Sequence, residues 1–469
     1  MILLAYLVLF AWIPAIVLLF AAIHPRRAAI VAIIAGWLFL PLVSINVTGL
    51  PAFNKASATM AAVLIGTAMF HPNYLLVLRP RWFDLPMVAW ILAPFFSAVH
   101  YNGDVYDGVT SAFEHLVMWG LPYLIGRVYL TEYTAFRDLA IGLVIGAVVY
   151  IPFIVWEMRM APLVHYQLFG IRARGSWEQW AFAAPFQWKP RVFMDTSFAV
   201  TMLMGMAAFV AVVMTRWRIG RKTLGVPPGV LCAILVVMTV MCKVWSGILM
   251  MGTGIGVVLL GRMFRTRLIL IAILLVPPTY MITRASGLWS GEIVPSIVSN
   301  LSERRASSFQ TRLNHETQLA ERAMQRPAFG WGGWGRWRIR TDSGRDLTRS
   351  DGLWVITLGR TGIFGLTSLT LVLLLPLGMF VYKVPPSAWH EPAAAIMMAF
   401  ALMPALHMID NLPNAFPNPL FYMIAGGILG WLGSARSVRS VTPTAVLSRR
   451  RRAARGNAPA GLIEGQTHP

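Results

Sequence analysis

Residues 307–352 read SSFQTRLNHETQLAERAMQRPAFGWGGWGRWRIRTDSGRDLTRSDG, a polar tract rich in arginine, tryptophan and glycine. The apolar run LILIAILLVPPTYMIT at 268–283 lies before it, and another begins at Leu353 directly after it. A spanning helix takes about 20 apolar residues. A tract of this composition between two such runs places arginines, acids and indoles just outside a bilayer.

The rest of the chain agrees. Its 469 residues are 57% hydrophobic and 13% charged, with a mean hydropathy of +0.63. In lipid, backbone polar groups must be satisfied within helices or closed barrels. The apolar runs are continuous rather than alternating, which predicts helices and not a barrel. The expected spans are 2–23, 28–48, 58–77, 85–99, 109–126, 139–157, 195–214, 228–242, 247–261, 268–283, 352–381, 393–411 and 419–433. The expected fold is therefore all-α, a polytopic bundle of about 12–13 transmembrane helices. Region 228–261 reads as two short helices around Lys243–Gly247 or as one broken helix, and that choice sets the parity. The first run has no basic segment before it and no small-residue cleavage site after it, so a retained helix is expected. Cys232 and Cys242 are expected on one helix, too far apart to bridge, and they indicate no redox compartment. GxxxG spacing at Gly252/Gly256 and Gly426/Gly430 predicts close helix packing.

The net charge of +21 suggests a nucleic-acid partner until its positions are read. Arg26/Arg27, Arg79/Arg81, Arg127/Arg137, Arg216/Arg218/Arg221/Lys222 and Arg262/Arg265/Arg267 fall in alternate short connections. Arg436, Arg439 and Arg449–Arg452 follow the last run. This is the positive-inside pattern. It predicts a cytoplasmic C-terminus, an outer N-terminus if the spans number thirteen, and a tail touching anionic lipid; no nucleic acid is expected. The organisation is then an N-terminal bundle over 1–283 with an outer loop at 158–194, a large outer loop at 284–351, C-terminal helices over 352–433 and a basic, disordered tail at 434–469. The two outer segments are rich in arginine. Eleven arginines and seven acids lie between residues 284 and 351, and a cationic vestibule over a membrane suits an anionic ligand such as a lipid phosphate.

Within the large loop, 307–326 reads as a short helix, with capping-box spacing at Ser307/Gln310 and a stop at Pro327. Phe309, Leu313, Ala320 and Met324 form its apolar side. Arg312, His315, Glu316 and Arg322 fall on another side by three- and four-residue spacing. That side is either a solvated ion-pair face or the place where Arg312 grips phosphate, a task suited to a rigid guanidinium fork. In Gly330–Trp337 the glycines permit close backbone approach. Trp331 and Trp334, beside Arg336, Arg338 and Arg340, form either an interfacial belt or a wall for sugar rings. The tract lacks the GxxxxGK[ST] of a nucleotide loop. The other outer segment carries Arg172, Arg174, Trp177, Trp180, Trp188, Lys189 and Arg191; it reads as an interfacial helix or as a second side of the site, with Arg191 facing Arg312. Polar residues in or beside spans (Glu114/His115, Lys243/Ser246, Arg360, His407, Asp410) have structural or functional roles, and Arg360 is expected to pair with a carboxylate in the bundle. Asp104/Asp107 give only a weak divalent-cation signal. There is no His/Cys cluster of zinc type and no GxSxG, so neither cofactor nor metal is expected.

Taken together, Arg312 and the stretch Glu321-Arg322-Ala323-Met324-Gln325-Arg326-Pro327-Ala328-Phe329-Gly330-Trp331-Gly332 resemble the signature of the O-antigen ligase and polysaccharide polymerase superfamily. Leu358-Gly359-Arg360-Thr361-Gly362-Ile363-Phe364-Gly365 is similar to the GxxG helix that follows in that family. Arg191-Val192-Phe193-Met194-Asp195-Thr196 resembles its Arg-containing segment. Lys243-Val244-Trp245-Ser246-Gly247 resembles its S-R-G turn with a different residue order. The likeness covers about residues 190–375. It implies a GT-C-like bacterial inner-membrane protein that carries out a metal-independent, inverting glycan transfer. The donor would be an undecaprenyl-pyrophosphate-linked glycan and the acceptor a glycan or lipid-linked glycan at the periplasmic face. Polymerase is favoured over ligation to lipid A–core; a lipid-linked glycan transporter or flippase is the reading from another class. A chain-length regulator and flippase or export proteins are the implied protein partners. By carry-over Arg191 and Arg312 would hold the pyrophosphate, with Arg172, Arg174, Arg322, Trp331, Trp334, Arg336, Arg338 and Arg360 around the substrate. One departure stands out. The family's usual His is replaced by Ser350-Asp351-Gly352, so the base would be Asp351, His315 or Glu316, unless Asp351 only caps the helix that follows.

Overall fold

The computed structural model describes residues 1–434 apart from 77, 172–185, 187, 221–224, 292–295, 297–298, 301–302 and 349–350. The candidates Arg172 and Arg174, with Trp177, Trp180 and the basic tail beyond Ser434, lie outside the described residues.

The chain folds as α1 (Ile2–Ala22), α2 (Pro25–Phe39), α3 (Lys55–Phe70), α4 (Leu85–Asn102), α5 (Val105–His115), α6 (Leu121–Tyr129), α7 (Tyr133–Met160), α8 (Val164–Phe169), α9 (Ser197–Arg216), α10 (Pro228–Met241), α11 (Trp245–Phe264), α12 (Leu268–Ala285), α13 (Glu303–Met324), α14 (Leu353–Lys383), α15 (Pro392–Asp410) and α16 (Pro419–Gly433). Among the described residues the one sheet is a two-residue antiparallel pair, Ser44–Ile45 with Phe53–Asn54. Among the described residues eight helices are long and apolar enough to cross a membrane: α1, α4 with its leading turn, α7, α9, α11, α12, α14 and α15. Helices α3, α10 and α16 are apolar but shorter, and a π-turn at Leu116–Gly120 joins α5 to α6. The protein is an all-α, multi-pass membrane protein. Helices α9, α15 and α16 form the centre, with most of their side chains buried. Helices that are apolar all round belong in such a place.

The ambiguity at 228–261 is resolved as two helices. Helix α10 ends at Met241, α11 starts at Trp245, and Lys243 between them turns the chain with a φ of +57°. The two GxxxG signals part company. A Cβ at Gly426 would collide with the Tyr123 carbonyl, and one at Gly126 with that of Met423, so α6 and α16 touch backbone to backbone. Gly252 and Gly256 have no atom within 4 Å of such a Cβ; on α11 the packed glycines are Gly247, Gly254 and Gly261 instead. The span expected at 28–48 is the shorter α2, because Leu40 leaves the helix in an extended conformation.

Several basic connections pair with one another. Arg26 holds Asp138 at 2.9 Å. Arg127 holds Asp84 at 2.9 Å, and the same carboxylate accepts from Tyr123 at 2.7 Å. Arg81 donates to the carbonyl of Gly433, Lys383 to that of Leu432, and Arg265 to His390.

Candidate functional site

The site begins at the end of α12. Arg284 is buried there, and all five of its N–H groups are used. Nε donates to Glu316 at 2.9 Å, Nη1 to the carbonyls of Trp289 and Ser290, and Nη2 to the Leu313 carbonyl and Thr317 Oγ1. Tyr280, one turn earlier, donates to Glu316 at 2.9 Å. Burial pushes the Glu316 carboxyl above the ordinary carboxylate range, and the Arg284 hydrogen bond and charge pull it back. This knot clamps α13 across the end of a spanning helix. It also qualifies a sequence expectation: Glu316 is the buried partner of Arg284, although it shares one cleft with Arg312.

Helix α13 begins at Glu303 rather than Ser307. Ser307 therefore sits inside the first turns, where its carbonyl accepts from the Thr311 hydroxyl, and Gln310 bonds Asn314; the expected capping box is absent. Leu313 and Ala320 are buried as the periodicity requires, Phe309 is half-buried, and Met324 points outward.

Arg312 lies one turn before Glu316. Its Nε stands 3.1 Å from Asp351 Oδ2, with side chains 43% and 36% exposed. The pair lies in a small open cleft lined by Tyr280, Phe309, Arg312, Leu313, Glu316, Asp351, Gly352, Val355 and Pro413. Arg312 is its one cation among the described residues. Asp351 does not cap α14: the cap position is Gly352, with no side-chain bond. The start of α14 is instead held by the turn after α15, since the Leu353 N–H donates to the carbonyls of Asn411 and Asn414 at 3.0 and 2.8 Å. A Cβ at Gly352 would strike the Leu412 carbonyl, so glycine permits this close seat and brings Pro413 to the cleft.

The glycine-rich tract turns out to be a lock. Helix α14 is broken at Gly362, with φ +66° and ψ −166°, a region open essentially to glycine alone. Residues 327–332 enter the break. Trp331 N–H donates to Gly359 O at 2.8 Å and Gly332 N–H to Arg360 O at 3.0 Å; Ile363 N–H donates to Pro327 O at 2.7 Å and Phe364 N–H to Ala328 O at 3.2 Å. The two motifs that read as separate signals are each other's partners. Sequence gave no hint of this pairing because both glycine patterns also suit ordinary turns.

The arginines and tryptophans beside the lock mostly serve one another. The Arg322 guanidinium lies 4.1 Å from the Trp331 ring centre, and Arg326 lies 4.8 Å from it and 4.6 Å from Tyr101. Arg336 stacks on the other contact of Tyr101 at 4.4 Å. Arg338 and Arg340 both hold Asp346, at 2.7 and 3.1 Å; the hydrogen bonds from these two arginines keep that carboxyl below its usual range. Trp337 is buried. Trp334 stands 77% exposed, its indole N–H given to Asp107 at 2.7 Å, while Asp104 caps α5 through the Asp107 N–H. Both acids of the weak cation signal thus have protein partners. Arg360, in α14, interacts electrostatically with Glu114 and Arg338.

Arg191 is not among the residues lining the cleft. Its backbone N–H and that of Val192 donate to Glu157 Oε2 at 2.7 and 2.8 Å, which fixes the chain just before α9. His315 is half-buried on α13 and does not line the cleft either. The structure therefore brings together Arg312, Asp351 and Glu316 from the sequence candidates, and adds Tyr280, Arg284 and Pro413. Arg284 was legible only as the last charge of an apolar run; its acid lies 32 residues on, beyond any local spacing rule.

No family model matches this chain, and no curated protein matches it.

Proposed function

We propose that the chain is a membrane glycosyltransferase that moves a glycan from an undecaprenyl-pyrophosphate donor to a glycan acceptor, acting as a surface or exopolysaccharide polymerase. The observation that supports this is the juxtaposition of Arg312 and Asp351 at the mouth of one cleft. A guanidinium there meets the charge of a diphosphate. A carboxylate beside it suits the base that accepts the acceptor hydroxyl's proton. In the reaction that follows, the acceptor oxygen bonds to the anomeric carbon while the bond from that carbon to the diphosphate oxygen breaks. The proton passes to Asp351, and the leaving diphosphate carries its negative charge to Arg312. Phe309, Leu313, Val355 and Pro413 give the cleft an apolar wall, compatible with the first isoprene units of the lipid. The buried Arg284–Glu316 knot holds Arg312 in place. The positive-inside pattern supports a cytoplasmic C-terminus and a cleft on the opposite face of the membrane, which on this reading is the periplasmic face of a bacterial inner membrane. The resemblance over residues 190–375 points the same way.

The test uses purified protein in liposomes supplied with an undecaprenyl-pyrophosphate oligosaccharide, beside Arg312→Ala. The expected result is release of undecaprenyl pyrophosphate with lengthened glycan, reduced about 100-fold or more in the variant, as for one lost charge-stabilising donor. Release only on addition of lipid A–core would make the protein a ligase. Glycan lipid that crosses the bilayer without release would replace the enzyme with a transporter.

A further inference from the structure

Two ion pairs stand one turn apart on α13, and they differ in kind. Arg284–Glu316 is sealed, with side chains 2% and 8% exposed, and its guanidinium has no N–H to spare. Arg312–Asp351 is open to solvent, with Nε 3.1 Å from Oδ2. It is a side-on contact and not the two-bond fork that makes guanidinium–carboxylate pairs strong. Among the described residues Asp351 has no other partner and no capping duty.

We infer that Asp351 is the resident counter-ion of the anion site and changes partner during turnover: an arriving diphosphate takes the Arg312 guanidinium, and the Asp351 carboxylate is released to act as the base. This rests on the function proposed above and deepens it. While Arg312 holds it, the carboxylate is occupied by the cation. Moving the guanidinium to the diphosphate frees its oxygens to face the acceptor hydroxyl just when a donor is in place. Without a donor, the two groups occupy each other. Partly exposed ion pairs are weak, so a diphosphate, with more charge and two phosphoryl groups for the fork, displaces a single carboxylate readily. The exchange needs no co-reactant. One proton goes from the acceptor hydroxyl to Asp351, and one leaving group goes to Arg312.

The test measures inorganic pyrophosphate binding calorimetrically to the full chain in detergent, with turnover followed separately in liposomes. In Asp351→Asn and Asp351→Ser, pyrophosphate binding should tighten by about two- to fivefold, the equivalent of a partly exposed ion pair, while turnover falls by about 100-fold or more. Unchanged or weaker binding in both variants overturns the exchange, as does full turnover in either. Arg312→Gln should lose pyrophosphate binding. Wild-type binding in that variant would sink the anion site, and with it the proposed function, whatever Asp351 does. Circular dichroism of each variant separates these outcomes from misfolding, and the two Asp351 substitutions guard against a fault peculiar to one.

Discussion

Replacing Gly362 by alanine tests whether the glycine-rich tract is locked into α14. A Cβ there would run into the Ala328 carbonyl and lie 2.6 Å from the Phe329 nitrogen, both backbone atoms that cannot swing aside. The conformation itself, φ +66° and ψ −166°, costs a non-glycine residue about 1–3 kcal/mol. Relieving the clash means withdrawing 327–329, which loses the Ile363 and Phe364 hydrogen bonds to Pro327 and Ala328. At about 0.5–1.5 kcal/mol each, these bring the total to about 2–6 kcal/mol. The assay is unfolding in mixed micelles followed by circular dichroism, with amide exchange at Ile363, Phe364, Trp331 and Gly332 as the local probe. Gly333→Ala is the internal control. It lies in the same glycine run, no atom stands within 4 Å of its Cβ, and it should change stability by less than about 0.5 kcal/mol. A Gly362→Ala protein within about 1 kcal/mol of wild type, with exchange unaltered, would refute the lock.

Other expectations follow from particular contacts. Gly126→Ala should loosen α6 from α16 and lower the unfolding midpoint clearly, whereas Gly252→Ala, with no neighbour within 4 Å, should leave it unchanged; equal effects would show that the backbone contact at Met423 does not matter. Arg284→Met strands Glu316 and four further acceptors, and breaking a buried pair of this kind costs about 3–5 kcal/mol; a double-mutant cycle with Glu316→Gln should show strong coupling, and additive losses would deny the pair. Asp346 is held below its ordinary value by Arg338 and then Arg340. A depressed folded-state carboxyl stabilises above its unfolded value and loses that contribution as pH falls through the folded one. Amide protection at Leu347 and Thr341, whose N–H groups donate to Ile339 and Arg345, corrected for intrinsic rates, should therefore drop on acidification in wild type and already be low at neutral pH in Asp346→Asn.

The helical membrane bundle was legible because its rule is local. Lipid demands long apolar helices, and each run carries that signature by itself. Even so, some boundaries slipped. Helix α2 stops at Phe39 although apolar residues continue. Helix α13 starts before its apparent cap at Ser307, because serine three residues before glutamine is compatible with a helix interior as well as its start. Gly252/Gly256 and Gly426/Gly430 are indistinguishable as text; only the presence of a partner helix separates them. At the site, Arg312 and Asp351 were individually legible as chemistry-bearing residues. Their meeting was not, since it depends on how the Asn411–Asn414 turn seats Leu353, a contact across nearly sixty positions of sequence.

The density of arginine and tryptophan in the polar tract has a different meaning in the folded chain from the one it suggests in the sequence. Read as composition, it promises a broad cationic, aromatic surface for a large anionic substrate. In the fold most of it is spent internally. Arg322, Arg326 and Arg336 sit against Trp331 and Tyr101, Arg338 and Arg340 fasten Asp346, and Arg284 is sealed in its knot. Cation–π contacts are worth about 0.5–2 kcal/mol each, and here they join a tract with few aliphatic side chains into something rigid. A polar tract over a membrane has little hydrophobic core to hold it, so stacked guanidinium and indole groups supply the missing packing. The consequence is that removing Arg322 or Arg336 should disturb the tract's stability before it disturbs binding, while removing Arg312, the cation at the cleft, should do the reverse. Composition marks the region; only the network of partners separates the one arginine that lines the cleft from those that brace the tract.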